Sequence, residues 1–277
     1  MTLTLYQIDA FTRKVFGGNP AAVIPLTKWL DTELLQKIAA ENNLSETAYL
    51  VKCEGGYDIR WFTPAVEMNL CGHATLASAY VLYEFLHYPE DSIHFFSKSG
   101  ELVTSVQDEL LVMNFPSWKP KLLSAIPPLL SEGLQAIDIV AVSENRDLLV
   151  ELKSESAVKK IQPDFRKLFE LGKNVIVTAP GRDCDFVSRF FGPASGIDED
   201  PVTGSAHSQL IPYWSEKLNK DRMFARQLSA RGGELWCEQI DDRVKMGGHC
   251  AFYMKGEIHL SNNIKQFVNK QGTSFFT

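Results

Sequence analysis

The second half of the chain repeats, in the same order, a set of motifs found in the first half. Residues 58–86 run from an alternating apolar segment through WFTPA to a small-residue segment and then a long apolar run. Residues 185–218 follow the same order, with FFGPA in place of WFTPA. The copies lie about 130 residues apart, whereas solenoid repeats recur many times at roughly 20 to 50 residues. The pattern therefore predicts a duplicated domain.

Two further blocks keep this order. GSAH at residues 204–207 corresponds to GHAT at 72–75, and GEL precedes Met246 by the interval that separates GEL from Met113. A length of 277 residues also suggests about two domains, each large enough for its own core. We therefore expect two similar domains, with the first spanning residues 1–120 and the second spanning 121–277.

Strand patterns dominate each half. The segment 73–85 is apolar on all sides, which in a globular protein indicates a helix enclosed by the rest of its domain. The predicted fold class is α+β, with two pseudo-symmetric domains, each a curled, mostly antiparallel and barrel-like sheet around a central helix. In the first half, strands separated by Gly, Asn or Asp turns are expected at 5–10, 21–24, 57–62, 102–106 and 110–115.

A further helix is predicted at residues 31–42. Asp31 can cap its first amides, and the Asn42–Asn43 pair tolerates the left-handed turn that ends a helix. Pro212 falls inside the second central helix, where its ring removes a backbone hydrogen bond. We expect a kink or an early irregularity at that position.

Charge and composition exclude several classes of function. The net charge is −6 with the two signs interspersed, so a basic surface for nucleic acid is not expected. The amino terminus lacks the order of a signal peptide, and no apolar run reaches the ~20 residues of a membrane span. Five scattered cysteines and dispersed histidines predict reduced thiols and no metal site. We expect a cytoplasmic protein that binds neither nucleic acid nor membrane.

Two segments place glycine and small residues at the start of a predicted helix, CGHAT and DPVTGSAH. Free amides at a helix start carry roughly half a positive charge, so both segments are suited to bind carboxylates. If the halves face each other, the two amide clusters converge on one cleft. The alternative is that these glycines only allow close packing.

Three ionisable residues are candidates for chemistry. Glu46 lies at a helix-to-strand junction in NNLSETAYLV, where a carboxylate could be held rigidly, although a surface position is the simpler interpretation. Asp200 ends an acidic run that could be a solvated turn, but it directly precedes the second helix start. His73 lies at the first helix start and could be a purely structural, hydrogen-bonded histidine.

Five blocks, FGGNPAAV, NNLSETAYL, RWFTPAVEMNLCGHATLASA, DEDPVTGSAH and RGGEL, resemble the phenazine-biosynthesis PhzF-like family, which has the fold of diaminopimelate epimerase. The resemblance covers most of the chain. It implies that Glu46 is the catalytic group and that His73, Asp200 and Ser205 assist it. Residues in the same blocks are expected to bind the substrate, namely Asn19, Ser45, Gly72, Thr203 and Gly204.

The resemblance implies a cofactor-independent isomerase that moves a proton on a small carboxylate-bearing substrate, and it suggests a homodimer. A buried carboxylate can take a proton from carbon and return it elsewhere. Amides at the helix starts would stabilise the charge that develops on the substrate. No external cofactor and no metal are required by this chemistry.

Two alternatives remain open. Diaminopimelate epimerase uses two opposed thiols, one at each helix start, but here only Cys71 is present and the second start has no cysteine. A thiol-dependent amino-acid racemase or epimerase would lose activity when Cys71 is alkylated, whereas the leading hypothesis makes Cys71 a bystander. The other alternative is a non-catalytic small-molecule binding protein on the same fold.

Overall fold

The computed structural model describes residues 1–136 and 138–260, and it is dominated by strands. The helices are α1 (Thr32–Asn42), α2 (Gly72–Glu84), α3 (Pro128–Leu134), α4 (Glu155–Lys160), α5 (Phe165–Glu170) and α6 (Gly204–Leu218), with a 3-10 turn at Pro193–Ser195. The strands are β1 (Thr2–Ala10), β2 (Asn19–Leu26), β3 (Glu46–Cys53), β4 (Gly56–Phe62), β5 (Glu67–Met68), β6 (Ser92–Ser97), β7 (Gly100–Gln107), β8 (Leu110–Pro116), β9 (Lys121–Leu122), β10 (Ile139–Glu144), β11 (Leu148–Leu152), β12 (Val175–Pro180), β13 (Phe186–Gly192), β14 (Ile197–Asp200), β15 (Arg222–Gln227), β16 (Gly233–Ile240), β17 (Arg243–Gly248) and β18 (Cys250–His259).

The two halves have the same strand order. The first half runs β18-β1-β2-β3-β4-β6-β7-β8, and only β2–β3 and β4–β6 pair in parallel. The second half runs β9-β10-β11-β12-β13-β15-β16-β17, and its parallel pairs, β11–β12 and β13–β15, are at the equivalent places. Strands β8 and β17 join the halves, with Met113 directly opposite Met246. This architecture confirms the predicted fold class.

The last strand of each half lies on the other half's sheet. Strand β9 follows β8 in the chain but pairs with β10, and β18 follows β17 but pairs along its length with β1. Residues 250–259 therefore complete the sheet of the first half. The boundary at residue 120 stays a prediction, and residues 261–277 of the predicted second domain lie outside the described part of the chain.

Each half wraps its strands around one central helix. Every residue of α2 from Gly72 to Ala79 is buried, as its apolar sequence predicts, and α6 is buried over most of its first three turns. Leu76 of α2 and Trp214 of α6 belong to the same large hydrophobic core. Two smaller cores are formed by strand residues and the remaining helices, one with α1 and one with α3, α4 and α5. The two central helices are thus fixed against each other through shared packing.

The duplication preserves one ion pair in both halves. Arg60 donates to Glu67 with its Nε at 2.8 Å and its guanidinium lies 5.1 Å from the centre of the Phe62 ring. The second half repeats this arrangement with the same three residue types at 2.7 Å and 4.8 Å, in Arg189, Glu199 and Phe191. The matched contacts show that the two halves correspond at these three positions, although the second half has three more residues between the arginine and the glutamate.

The predicted helix at residues 31–42 is confirmed. The Asp31 side chain accepts a hydrogen bond from the Glu33 amide, and Asn43 ends the helix in the left-handed conformation with φ 48°. Pro212 does not end α6, which continues to Leu218. The Ser208 carbonyl that Pro212 leaves free accepts a hydrogen bond from the Trp118 amide at 2.8 Å. The segment that joins the two halves therefore replaces the hydrogen bond lost at the proline.

Candidate active site

The first turns of the two central helices meet at the boundary between the halves. A Cβ atom added to Gly72 would lie 3.4 Å from the Gly204 Cα, so the backbones of the two helix starts lie close together. Neither N-cap residue, Cys71 or Thr203, caps its helix with a side-chain hydrogen bond. The Ala206 amide donates to the Thr203 carbonyl at 3.2 Å, but the amides of Gly72 and His73 in α2 and of Gly204 and Ser205 in α6 donate to no described residue. These four amides are free to bind an anionic ligand.

A cavity of about 270 Å³ lies over these helix starts. Three larger grooves, of about 350, 420 and 610 Å³, open elsewhere on the described surface, but their charged side chains are mostly exposed or paired. The smaller cavity combines free helix amides with buried acids, so we assign the site to it. Its lining residues are Glu46, Met68, Leu70, Cys71, Gly72 and His73 from the first half, and Arg146, Asn174, Phe190, Ser195, Ile197, Asp200, Thr203, Gly204 and Ser205 from the second.

Glu46 and His73 form the centre of the site. Glu46 is the first residue of β3, His73 is the second residue of α2, and both are buried, at 7% and 4% exposure. The Glu46 Oε2 and His73 Nε2 atoms lie 3.0 Å apart but are not aligned for a hydrogen bond. Neither atom has another hydrogen-bond partner among the described residues. Both are therefore available to a substrate in the cavity.

Asn19 links the acidic groups of the two halves. Its Nδ2 donates to Asp200 Oδ1 at 2.8 Å and to the Val202 carbonyl at 2.9 Å, and it lies 3.1 Å from His73 Nδ1. Asn19 is fully buried and is the first residue of β2, beside β3. It therefore supports His73 and Asp200 from behind the cavity and does not line it.

Asp200 ends β14 and is almost completely buried. Thr203 donates its hydroxyl to Asp200 Oδ2, and Gln227 Nε2 donates to the Asp200 carbonyl at 2.7 Å. Burial raises the pKa of Asp200 to about 6, although the nearby charge of His73 offsets part of this effect. Asp200 can therefore change its charge state near neutral pH.

This raised pKa predicts how Asp200→Asn changes the pH dependence of stability. A carboxyl whose pKa is higher in the folded state stabilises the protein below its unfolded pKa, and this contribution is lost as the pH rises through the folded value. As the pH rises from 4 to 7, we expect the free energy of unfolding of the native protein, minus that of Asp200→Asn, to fall by about 2 to 3 kcal/mol. Urea unfolding of both proteins across this range measures the difference. A constant difference would contradict the raised pKa.

His73 and Cys71 influence each other's ionisation. Burial lowers the pKa of His73, but the adjacent Cys71 and Glu46 outweigh it, so the value lies well above the ordinary one. Burial and the charge of Glu46 raise the pKa of the Cys71 thiol to about 11. Cys71 is therefore a protonated thiol at neutral pH, with little nucleophilic or basic character. Glu46 is then the neighbouring charge that favours the protonated form of His73.

The strand registers show which residue of the second half corresponds to Glu46. Thr47 pairs with Phe62 on β4, and Val175 pairs with the equivalent Phe191 on β13. Asn174, which precedes Val175, therefore occupies the position of Glu46. By the same correspondence at the helix starts, the second half places Thr203 and Ser205 where the first half has Cys71 and His73. The duplicated site thus has its glutamate and its histidine in the first half alone.

The structure brings together most of the residues expected from the sequence. Glu46, His73, Asp200 and Ser205 line one cavity, as do Gly72, Thr203 and Gly204. Ser45 is half-buried beside Glu46 and is not among the lining residues.

The sequence interpretation missed four polar residues at the site. Arg146, Asn174 and Ser195 line the cavity, and Gln227 holds Thr203 from behind. Extending the internal repeat upstream to β12 would have identified Asn174.

Glu46, Cys71 and His73 have potential metal-ligand atoms within 4.8 Å of one another. The Nε2 atom of His73 faces Glu46, and its Nδ1 atom lies 3.6 Å from the Cys71 sulfur. All five cysteines are free thiols. In the described part of the chain, no helix has both the length and the hydrophobicity of a membrane span.

Comparison with known proteins identifies the family. Residues 8–256 match the family model described as phenazine biosynthesis-like protein. An uncharacterized isomerase of Pseudomonas aeruginosa is 50% identical, over 94% of this chain and all of the relative. One of Halalkalibacterium halodurans is 45% identical, with the same coverage of each chain.

Solved structures agree with this assignment. A PhzF-family phenazine biosynthesis protein from Enterococcus faecalis is 47% identical with a TM-score of 0.91, over 94% of this chain and all of that chain. A hydroxyproline epimerase from Agrobacterium vitis shares the fold alone, at 11% identity and a TM-score of 0.58, over 94% of this chain and 93% of that chain. The chain is therefore an isomerase that belongs to the phenazine biosynthesis-like protein family.

Proposed function

We propose that this isomerase needs no cofactor and moves a proton on a small carboxylate-bearing substrate, with Glu46 as first the base and then the acid. The observation that carries the proposal is the buried pair of Glu46 and His73, whose facing atoms have no hydrogen-bond partner among the described residues and border the cavity. A carboxylate that is buried and has an unpartnered oxygen is suited to exchange protons with a bound substrate.

The free amides of α2 and α6 would hold the substrate carboxylate beside this pair. Glu46 takes a proton from carbon, and the electron pair left on that carbon is delocalised into the carboxylate or a conjugated double bond. The helix amides and the His73 side chain stabilise the negative charge that develops. Glu46 then returns its proton to another carbon, so the product is an isomer and the enzyme is regenerated.

The differences between the halves favour a proton shift over inversion of a stereocentre. Inversion needs a base on one face of the carbon and an acid on the other. The positions equivalent to Glu46, Cys71 and His73 are occupied by Asn174, Thr203 and Ser205, whose side chains are neutral. A single carboxyl that removes and returns the proton on one face agrees with this arrangement.

Cys71→Ala provides a test against the thiol-dependent racemase. Because the raised pKa keeps Cys71 protonated, we expect the variant to retain the native rate of proton exchange within about threefold. The measurement is deuterium incorporation from heavy water into the substrate, with Cys53→Ala as the control at a distant cysteine. Loss of exchange in Cys71→Ala alone would support the racemase.

The general experiment is a screen of small carboxylic acids in heavy water. Mass gain at carbon or formation of an isomer would identify a substrate. The absence of exchange with every acid tested would favour the non-catalytic binding protein. The homodimer and the cytoplasmic location implied by the resemblance stay predictions, and light scattering of the purified protein tests the first.

A further inference from the structure

The second half contributes hydrogen-bond donors to the cavity that take no part in the chemistry assigned to Glu46. Arg146 lies in the β10–β11 turn, Asn174 directly precedes β12, and Ser195 ends the 3-10 turn. All three line the cavity, and none is part of the proton-transfer scheme. Arg146 is the only arginine or lysine among the lining residues.

Arg146 is held in a fixed orientation. Its Nε donates to Asp147 Oδ2 at 2.9 Å, its Nη2 donates to the same oxygen, and the guanidinium lies 5.1 Å from the centre of the Trp118 ring. Asp147 is itself buried, and its backbone forms two hydrogen bonds with the Gln209 side chain, at 2.9 and 3.1 Å. The Nη1 group of Arg146 donates to no described residue. A rigid arginine with a free edge at a cavity is suited to bind a carboxylate.

Asn174 is positioned by the same network. Its Oδ1 accepts from the Ser195 hydroxyl at 2.9 Å, and its Nδ2 donates to Asp147 Oδ1 at 3.3 Å. These contacts fix which way the amide points and leave one N–H of Nδ2 for a ligand. Arg146 and Asn174 therefore both bond Asp147 and present free donors to the cavity. If they only balanced the charge of Asp147, the two residues would not both need to line the cavity.

The charges of the cavity indicate what these donors bind. The helix amides already provide a site for one carboxylate, and the remaining acids, Glu46 and Asp200, would repel a second negative group placed near them. At about 270 Å³ the cavity is smaller than the roughly 300 to 1,000 Å³ of typical ligand pockets, so the ligand is small. Apart from His73, which lies against Glu46, Arg146 is the only lining side chain that can carry a positive charge, so it provides the complementary charge for a second anionic group.

We propose that Arg146 and Asn174 bind a second anionic group of the substrate, so that the substrate class is small dicarboxylates. This inference rests on the proposed function for the position of the first carboxylate. Arg146 then determines specificity, while proton transfer depends on Glu46. The position equivalent to Glu46 therefore serves recognition in the second half, whereas in the first half it serves catalysis.

Calorimetric titration with simple probes tests the proposal without turnover. The probes are benzoate and the 1,2-, 1,3- and 1,4-benzenedicarboxylates, which present one or two carboxylates at different separations. We expect the native protein to bind at least one dicarboxylate about tenfold more tightly than benzoate, since a hydrogen bond to a charged group contributes about this factor or more. In Arg146→Gln this preference should fall below about twofold, with benzoate binding nearly unchanged.

The matched control is Arg226→Gln, because Arg226 is similarly exposed, at 39% against 37%, and also pairs with one acid. Arg146→Gln leaves the buried Asp147 without its cation and could unfold the protein, so the double variant Arg146→Gln with Asp147→Asn is measured as well. No dicarboxylate preference in the native protein, or a preference that survives both variants, would overturn the proposal.

The two proposals can fail separately. If deuterium exchange depends on Glu46 but the protein shows no preference for dicarboxylates, the role of Arg146 is rejected and the proton shift is retained. If the preference for dicarboxylates depends on Arg146 but deuterium exchange does not need Glu46, the catalytic proposal is rejected and the recognition site is retained.

Discussion

Glu46→Gln is expected to lower the rate of proton exchange by about 10² to 10⁴, the contribution typical of a positioned acid or base. Glutamine has the shape of glutamate but cannot accept a proton from carbon. It would keep the position at the start of β3 and the 3.0 Å approach to His73. Substrate binding should therefore change little while exchange is lost. Deuterium incorporation into an identified substrate measures the rate, and calorimetric titration of the same substrate measures the binding.

Glu151→Gln is the matched control. Glu151 is also a buried glutamate, at 3% exposure, but it is paired with Lys217 and Tyr213 outside the cavity. We expect this variant to retain the native rate at temperatures where it remains folded. Equal rates for native protein and Glu46→Gln would exclude Glu46 as the base and would direct attention to Asp200 or Cys71.

Trp214→Ala is expected to cost about 3 to 5 kcal/mol of stability, the range for truncating a fully buried large side chain. Trp214 has no exposed surface, stacks on Phe186 at 5.7 Å and donates its indole N–H to Thr178 at 2.9 Å. The melting temperature should fall on the order of 10 °C for a chain of this size. Because Trp214 fixes α6, whose first turn carries Gly204, we also expect slower exchange in the folded variant.

Trp236→Ala provides the comparison, since Trp236 is half-buried and packs on Phe224 at 5.0 Å. Its loss should cost less than half as much as the loss of Trp214, as measured by urea unfolding and calorimetry. If the two variants lost a similar amount of stability, the packing around α6 would contribute less to stability than the burial of Trp214 indicates.

The internal repeat was sufficient to predict the duplicated fold, the two enclosed helices and the meeting of their first turns at one cavity. Apolar periodicity reports burial directly, and helix α2, buried throughout its first two turns, has an apolar sequence on every side. The capping residues of α1 are likewise local signals, because Asp31 and Asn43 act on amides and dihedral angles within a few residues.

The exchange of terminal strands was not visible in the sequence. Strand β18 pairs with β1, about 250 residues away in the chain. Nothing in the pattern of residues 250–259 indicates which sheet the strand joins, since alternation specifies a strand but not its neighbour. The continuation of α6 through Pro212 was not visible in the sequence either. The donor that compensates for the proline is the amide of Trp118, which is far from the helix in sequence.

The sequence by itself determined the duplicated α+β fold and placed Glu46, His73 and Asp200 near helix starts and strand ends, because these depend on local periodicity and on residue type. Only the tertiary structure decided that Asn174 is the counterpart of Glu46 and that Arg146 reaches the same cavity. The register between strands and the meeting of distant loops are set by packing across the whole molecule, which no short segment of the chain encodes.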